Sequence, residues 1–427
     1  MSETPVPIPS GSVPASTPAW SSTDAARWTQ AGPASWARPV WSVPALLITV
    51  VWAIAVEPVP RCSDAAPCGP DWSGMVQVGL AIGLLYWLAR LPELTLIAAP
   101  TLAAMVAWGE VPDAGRMSQV ANGAVIGALA FGWTAARERL AARSRQRRIA
   151  QQAAGVRHRL SEPVGPLTRG WLPLAAGLVL GALAAGAVVS GLNGIRADEH
   201  RAALAVHITA KVTGRDDETV RVRTDEGRHI TVGALYPEDY GVGITVTVLE
   251  DSSWRRLAAE PYDAFGPQLL ALAAGLPALS LLTVGVLARR RTVALSRAPM
   301  PVLRALNLTD HEGRIWVYAA DDTAGRTPLF TCLCTAPLPD SDEPANHTGH
   351  AGAGKEELPF VDTRLHEAVV LGAPYDSGEL ALITTDRAGH PITIRSAGLV
   401  RIPRTGRKPL LDAPAATDTG SDSPHPR

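Results

Sequence analysis

Residues 171–194 read WLPLAAGLVLGALAAGAVVSGLNG, 24 positions without one Asp, Glu, Lys or Arg. At 1.5 Å of rise per residue, a helix of this length spans the hydrocarbon core of a bilayer, about 30 Å thick. Five further stretches share this character: 40–56, 72–89, 94–108, 117–136 and 265–288. The sequence therefore predicts a membrane protein, an α-helical bundle of about six transmembrane helices. Trp41, Trp72, Trp108, Trp133 and Trp171 fall at or near span ends, where an amphipathic ring is stable at headgroup level.

Arginine sets the orientation. Between the fourth and fifth stretches come Arg137, Arg139, Arg143, Arg145, Arg147, Arg148, Arg157, Arg159 and Arg169, against only Glu138 and Glu162. Excess positive charge stays on the cytoplasmic side. Arg289, Arg290 and Arg291 mark the same side after the sixth stretch, two crossings later. Counting back places both termini in the cytoplasm of a plasma-membrane protein, with residues 195–264 outside. The third stretch is short and carries Pro100, but parity favours its crossing; a re-entrant pair of the second and third stretches keeps the charge rule only by moving the N-terminus outside. The basic loop, 137–170, also suits anionic lipid headgroups. Net charge is −1 and the arginines lack interleaved aromatics, so nothing points to nucleic acid.

Outside the spans the composition divides into low-order and β-patterned segments. Residues 1–39, rich in Pro, Ser, Thr and Ala, read as a disordered cytoplasmic tail, as do 409–427 and the insert 337–358. In 195–264, Leu204, Val206, Ile208, Ala210 and Val212 alternate with polar residues, and 220–223, 230–232 and 242–248 continue the period of two. That predicts a small extracytoplasmic β module. Residues 289–408 predict a cytoplasmic all-β domain, with strands at 302–308, 314–319, 329–335, 365–371, 380–385, 392–395 and 399–402. Thr224-Asp225-Glu226-Gly227, Thr309-Asp310-His311-Glu312-Gly313 and Thr385-Asp386-Arg387-Ala388-Gly389 resemble one another. A duplicated module is one explanation, and shared turn chemistry is the simpler one.

Val220-Arg221-Val222-Arg223-Thr224-Asp225-Glu226-Gly227, the run 241–248, Trp254-Arg255-Arg256-Leu257 and Glu260-Pro261-Tyr262-Asp263, set between two spans, resemble uncharacterised multi-pass integral membrane proteins of high-GC Gram-positive bacteria. In these a small β module of unknown function sits between two membrane helices. The low lysine and high Arg, Ala, Gly and Pro content fits a GC-rich bacterial genome. The resemblance implies architecture and carries no functional residue.

Motif chemistry excludes more than it suggests. Residues 349–355 have the glycine and lysine spacing of a phosphate loop, but Glu356 stands where Ser or Thr must hold magnesium. Cys332 and Cys334 with His347 and His350 have poor zinc spacing. No ionisable group lies within a span, which argues against proton-coupled transport. Cys62 and Cys68, in a short loop on the oxidising side, suit a disulfide that stiffens the turn between the first two spans. Gly79 and Gly83, Gly123 and Gly127, and Gly177 and Gly181 each place two glycines on one helical face, for close packing within the bundle or in a homo-oligomer. The expected function is a non-enzymatic scaffold or sensor without cofactor, coupling the outer and inner β modules and binding an unidentified protein partner. The alternative is a transporter or channel subunit for an uncharged or hydrophobic solute.

Overall fold

The computed structural model describes residues 5–57, 61–109, 115–159, 170–252, 254–297, 299–310, 313–333, 364–385, 389–396 and 398–403. The insert 337–358, the tail 409–427, the phosphate-loop-like run and Cys334, His347 and His350 lie outside these residues. The helices are α1 (Ser22–Gln30), α2 (Pro39–Val56), α3 (Trp72–Arg90), α4 (Pro92–Gly109), α5 (Arg116–Ala154), α6 (Trp171–Leu204) and α7 (Phe265–Arg297). Five of them, α2, α3, α4, α6 and α7, are long and apolar enough to cross a membrane. The fourth expected crossing, 117–136, is the first half of α5 and is not among the five. Ser118, Gln119 and Asn122 make it the most polar of the six stretches. The chain forms two compact units.

One unit comprises Trp36–Arg137 and Gly170–Val286. Leu46, Leu84, Trp87, Leu88, Leu102, Val106, Val125 and Leu129 form the core of its helical part. Two indole N–H groups are satisfied across helices: Trp87 Nε1 donates to Ser280 Oγ at 2.9 Å, and Trp133 Nε1 to the Leu96 carbonyl at 3.2 Å. Trp41, Trp108 and Trp171 are exposed. α6 continues past Gly194 to Leu204, so the β module starts ten residues later than its composition suggested. Residues 195–204 hold Ala, Arg, Glu and Leu, good helix formers, with no alternation to favour a strand.

The module itself has strands at Val206–Arg215, Thr219–Thr224, His229–Gly233, Thr245–Asp251 and Trp254–Leu257. They form an antiparallel five-stranded sheet in the order third, second, first, fourth, fifth. The edge strands His229–Gly233 and Trp254–Leu257 approach each other, so the sheet is nearly closed. Val212, Val220, Val222, Ile230, Val232, Val246, Val248 and Leu257 fill it. The expected strand through Val242 and Ile244 begins instead at Thr245, because Gly243, at φ +93°, turns the chain.

The other unit comprises Met1–Ser35, Glu138–Arg169 and Leu287–Arg427. Numbering all strands in chain order, β1 is Arg157–His158, β2 to β6 are the five above, and β7 to β12 are Met300–Thr309, Arg314–Tyr318, Phe330–Leu333, His366–Leu371, Ala381–Thr385 and Pro391–Arg395. The sheet runs β12-β11-β10-β7-β8-β9, with β1 paired to β7. Residues 396–401 carry the chain beyond β12, and Arg401 bridges to Thr331 of β9. Gly227 and Gly313 have positive φ in turns with the same hydrogen bonds: Gly227 N to Thr224 O and Thr224 N to Arg228 O, then Gly313 N to Asp310 O and Asp310 N to Arg314 O. The two turns stand in different hairpins, β3–β4 and β7–β8, although β9-β8-β7-β10-β11 repeats the strand order β4-β3-β2-β5-β6.

One reading of low order is corrected here. Residues 5–30 are ordered and belong to the seven-stranded sheet. β8 covers only 306–309 of β7, and Ala19 takes the bare edge: Arg304 N donates to Pro18 O and Trp20 N to Arg304 O, both at 2.8 Å. Val6 does the same on β10, through Val6 N to Leu365 O at 2.9 Å and Glu367 N to Val6 O at 2.8 Å. Trp20 and Trp28 are wholly buried among Ile315, Val317, Phe330, Val370 and Leu382. Their rings meet edge to face at 5.8 Å, and Trp28 Nε1 donates to Pro374 O at 2.8 Å. Ser21 caps α1 by accepting from Asp24 N, and the Ser22 hydroxyl and amide both donate to Asp321.

The basic stretch is helical as far as Ala154, as its composition from Ala135 onward suggests. Ala150 and Ala154 lie in the same core, while Gln146 Oε1 accepts from Asp376 N at 3.0 Å. Arg147 and Arg148 are exposed on the opposite face, with Arg147 over the Tyr375 ring.

Trp28→Ala should destabilise this unit by about 3 to 5 kcal/mol, as loss of a fully buried tryptophan does. The measurement is the urea midpoint of protease protection in the full chain. The Ser22 hydrogen bonds hold the Asp321 carboxyl below its ordinary value. A depressed carboxylate contributes stability above its unfolded pKa, about 4, and that contribution is lost as pH falls. Protection of residues 5–30 should therefore weaken on acidification, and Asp321→Asn should remove that part of the pH dependence.

Candidate functional site

The residues that join the five-stranded module to its helices form a set of filled carboxylates. Cys62 and Cys68 are bonded, Sγ to Sγ at 2.10 Å, in the loop between α2 and α3. Cys62 is buried in the module core, and each end of the loop is tied down. Asp239 Oδ2 accepts from Cys62 N at 2.8 Å, Cys68 N donates to Ala259 O at 2.8 Å, and Asp64 Oδ2 accepts from Thr247 N at 2.9 Å. Glu260, buried, accepts from Leu235 N at 2.6 Å and Tyr236 N at 3.1 Å. These acids accept from backbone amides that have no strand partner, Cys62, Leu235 and Tyr236 in loops and Thr247 in β5, and so they replace ladder hydrogen bonds. Beside them Tyr240 is buried, which raises its phenol well above the ordinary value. Neighbouring Glu260, Asp239 and Asp64 add to that shift.

A second tie joins helix to sheet. Asp198, in the polar extension of α6, pairs with Arg256 of β6 at 3.0 Å, both side chains largely buried. Arg256 also donates to Leu257 O at 2.9 Å and lies over the Trp254 ring. Nearer the far end of the sheet, Glu250 accepts from Arg228 and from Arg255, and the hydrogen bonds from these two arginines lower its pKa.

Asp64, Asp239 and Glu260 spend their lone pairs on backbone amides, and Asp198 faces a guanidinium. No group of three or more His, Cys, Asp or Glu among the described residues could hold a metal ion. Cys332 is a buried free thiol on β9.

The glycine pairs separate by environment. A methyl at Gly177 would come within 2.9 Å of Leu282 Cγ, and one at Gly79 would collide with Leu272 Cδ1, so α6 and α3 each approach α7 closely. Gly181 lies 4.0 Å from Ala278 by the same measure, and Gly83 meets Trp87 of its own helix. Gly123 and Gly127 have nothing within 4 Å. The functional residues that sequence reading missed are Asp64, Asp198, Asp239, Arg256 and Glu260. Only the placement of Asp198 four residues past an apolar run gave a signal.

Cys62→Ser should lower the module's stability by about 2 kcal/mol through release of the loop. Asp198→Ala should cost about 3 kcal/mol, because it leaves Arg256 buried without its counter-ion. Thermal unfolding in nanodiscs, with protease protection of 206–257 as readout, checks both.

Comparison with protein-family models, with curated proteins and with solved structures finds no match to this chain.

Proposed function

We propose that the chain is a non-enzymatic membrane scaffold or sensor whose five-stranded module lies outside the cell and whose seven-stranded module lies in the cytoplasm. The supporting observation is how the first module is attached. Its sheet is entered from α6, leaves into α7, and is clasped by the loop between α2 and α3, with Asp198–Arg256 holding helix to strand. A partner that displaces this sheet strains four helices at once. The exposed Arg147 and Arg148 suit anionic lipid headgroups at the inner surface. The partner on either module is a protein or a second copy of the chain.

Parity supports six crossings with both termini on one side, and the arginine-rich stretch favours the cytoplasm for that side. Residues 5–30, the basic part of α5 and β7 to β12 fold as one unit, so they share one side of the membrane. An even number of crossings then separates residue 35 from residue 138. α2, α3 and α4 supply three, and the first half of α5 is the fourth. Its polar residues are tolerable because Ser118 and Asn122 are buried, with Ser118 donating to Val56 O at 3.3 Å.

Cysteines at Gly115 and Ser252 should react with an impermeant maleimide in intact cells, while Ser144→Cys should react only after lysis. Labelling of residue 144 from outside would overturn the topology. Crosslinking in cells should capture a partner on one of the two modules. Solute flux in proteoliposomes, abolished by Gly177→Leu, would replace this reading with the transporter alternative.

A further inference from the structure

Four of the module's large apolar side chains are exposed in one short stretch: Leu235 at 51 %, Tyr236 at 47 %, Val242 at 69 % and Ile244 at 49 %. Strand directions locate this stretch relative to the apolar helices. Along α6, Asp198 pairs with Arg256, Gly194 abuts Tyr262, and Gly191 abuts Pro267 and Trp72. Moving down α6 towards its apolar part thus accompanies moving forward from β6 into α7. β6 therefore runs towards the apolar helices. β5 is antiparallel to β6, β2 to β5, β3 to β2 and β4 to β3. β2 and β4 consequently run the same way as β6.

The segment that follows β4 and precedes β5, residues 234–244, is therefore at the end of the sheet where α7 begins. Glu260 fixes it there, since the carboxylate that binds Leu235 N and Tyr236 N stands two residues before Tyr262. Within the segment, Ile244 N donates to Gly241 O at 3.1 Å, and the positive φ of Gly243 closes a tight turn that leaves Val242 at its crest.

We propose that Leu235, Tyr236, Val242 and Ile244 dip into the headgroup layer of the adjoining leaflet, so that lipid is the occupant of this apolar rim. The inference rests on the membrane reading above. Apolar surface beside apolar spans is continuous with a lipid-covered face, and a tyrosine suits the boundary between water and hydrocarbon. The acidic hairpin 216–218 shares this end, with Glu218 O accepting from Ala234 N at 3.0 Å. Those carboxylates limit the depth, so contact is interfacial. Leu204 and Val206, also exposed, occupy the opposite end, where β2 starts and β5 finishes.

The test uses the full chain with Cys332→Ala and Cys334→Ala, leaving Cys62–Cys68 bonded, and an NBD label at Tyr236→Cys or Val242→Cys in nanodiscs. Labels at Val206→Cys and at Val179→Cys, an exposed position in the apolar part of α6, are controls. The expected result is a blue-shifted emission at 236 and 242 that is lost with brominated lipid, quenching at 179, and none at 206. Quenching at 179 without quenching at 236 and 242 overturns the lipid rim and leaves the span intact. A blue shift at 236 and 242 without quenching also overturns it, because protein then covers the rim. Absence of quenching at 179 overturns the membrane reading and the rim with it. Quenching at 206 as well overturns the stated direction of the sheet.

Discussion

The seven-stranded sheet cannot close its core with its own strands. Trp20 and Trp28 fill space that Ile315, Phe330 and Leu382 leave open, and the edges of β7 and β10 that β8 and β11 do not cover bind the backbone at Ala19 and Val6. Burial of two indoles and completion of two strand edges outweigh the entropy of ordering a proline-rich segment. Everything about chain topology then depends on this docking. A segment before the first apolar helix and strands after the last one share one hydrophobic core, and the number of crossings between them is constrained accordingly. Five helices are long and apolar enough to cross a membrane.

Apolar runs and period-two alternation were legible, because each reports a single face meeting a single environment. β7, β8, β10, β11 and β12 lie within two residues of the alternating segments, and Gly227 takes the positive φ that its turn requires. What could not be read was long-range docking. Residues 5–30 carry few aliphatics and many prolines, a composition that favours disorder unless a distant groove accepts two tryptophans. The basic stretch of α5 has a helical composition, but nothing in it announced that Ala142, Gln146 and Ala150, recurring every four residues, form a buried face. The Val242 to Val248 alternation misled in the other direction, since a period of two also fits a glycine-rich turn whose apolar residues are exposed.

The site at the base of the five-stranded module shows a similar division. Cys62 and Cys68 were identifiable by spacing and by the side of the membrane to which the arginines assign them. Asp64, Asp239 and Glu260 were not, since an acid that binds an unpaired backbone amide has the same sequence context as a solvated surface acid. Their common task is satisfying main-chain donors that have no strand partner. The glycines divide by the same logic: Gly177 and Gly79 are small because α7 is close, a property of the partner helix and not of the glycine-bearing one.

The docking of residues 5–30 also sets an order of events during synthesis. The segment carrying Trp20 and Trp28 leaves the ribosome before every apolar helix, and β12, which completes its groove, leaves after all of them. At roughly 5 to 20 residues per second, the intervening stretch of about 360 residues takes roughly 18 to 72 s to make. Throughout that interval every apolar helix is being inserted while two tryptophans remain without their core. The amino-terminal segment is thus a folding element that must be kept from competing contacts until translation is nearly over, and premature termination anywhere before β12 strands it in water.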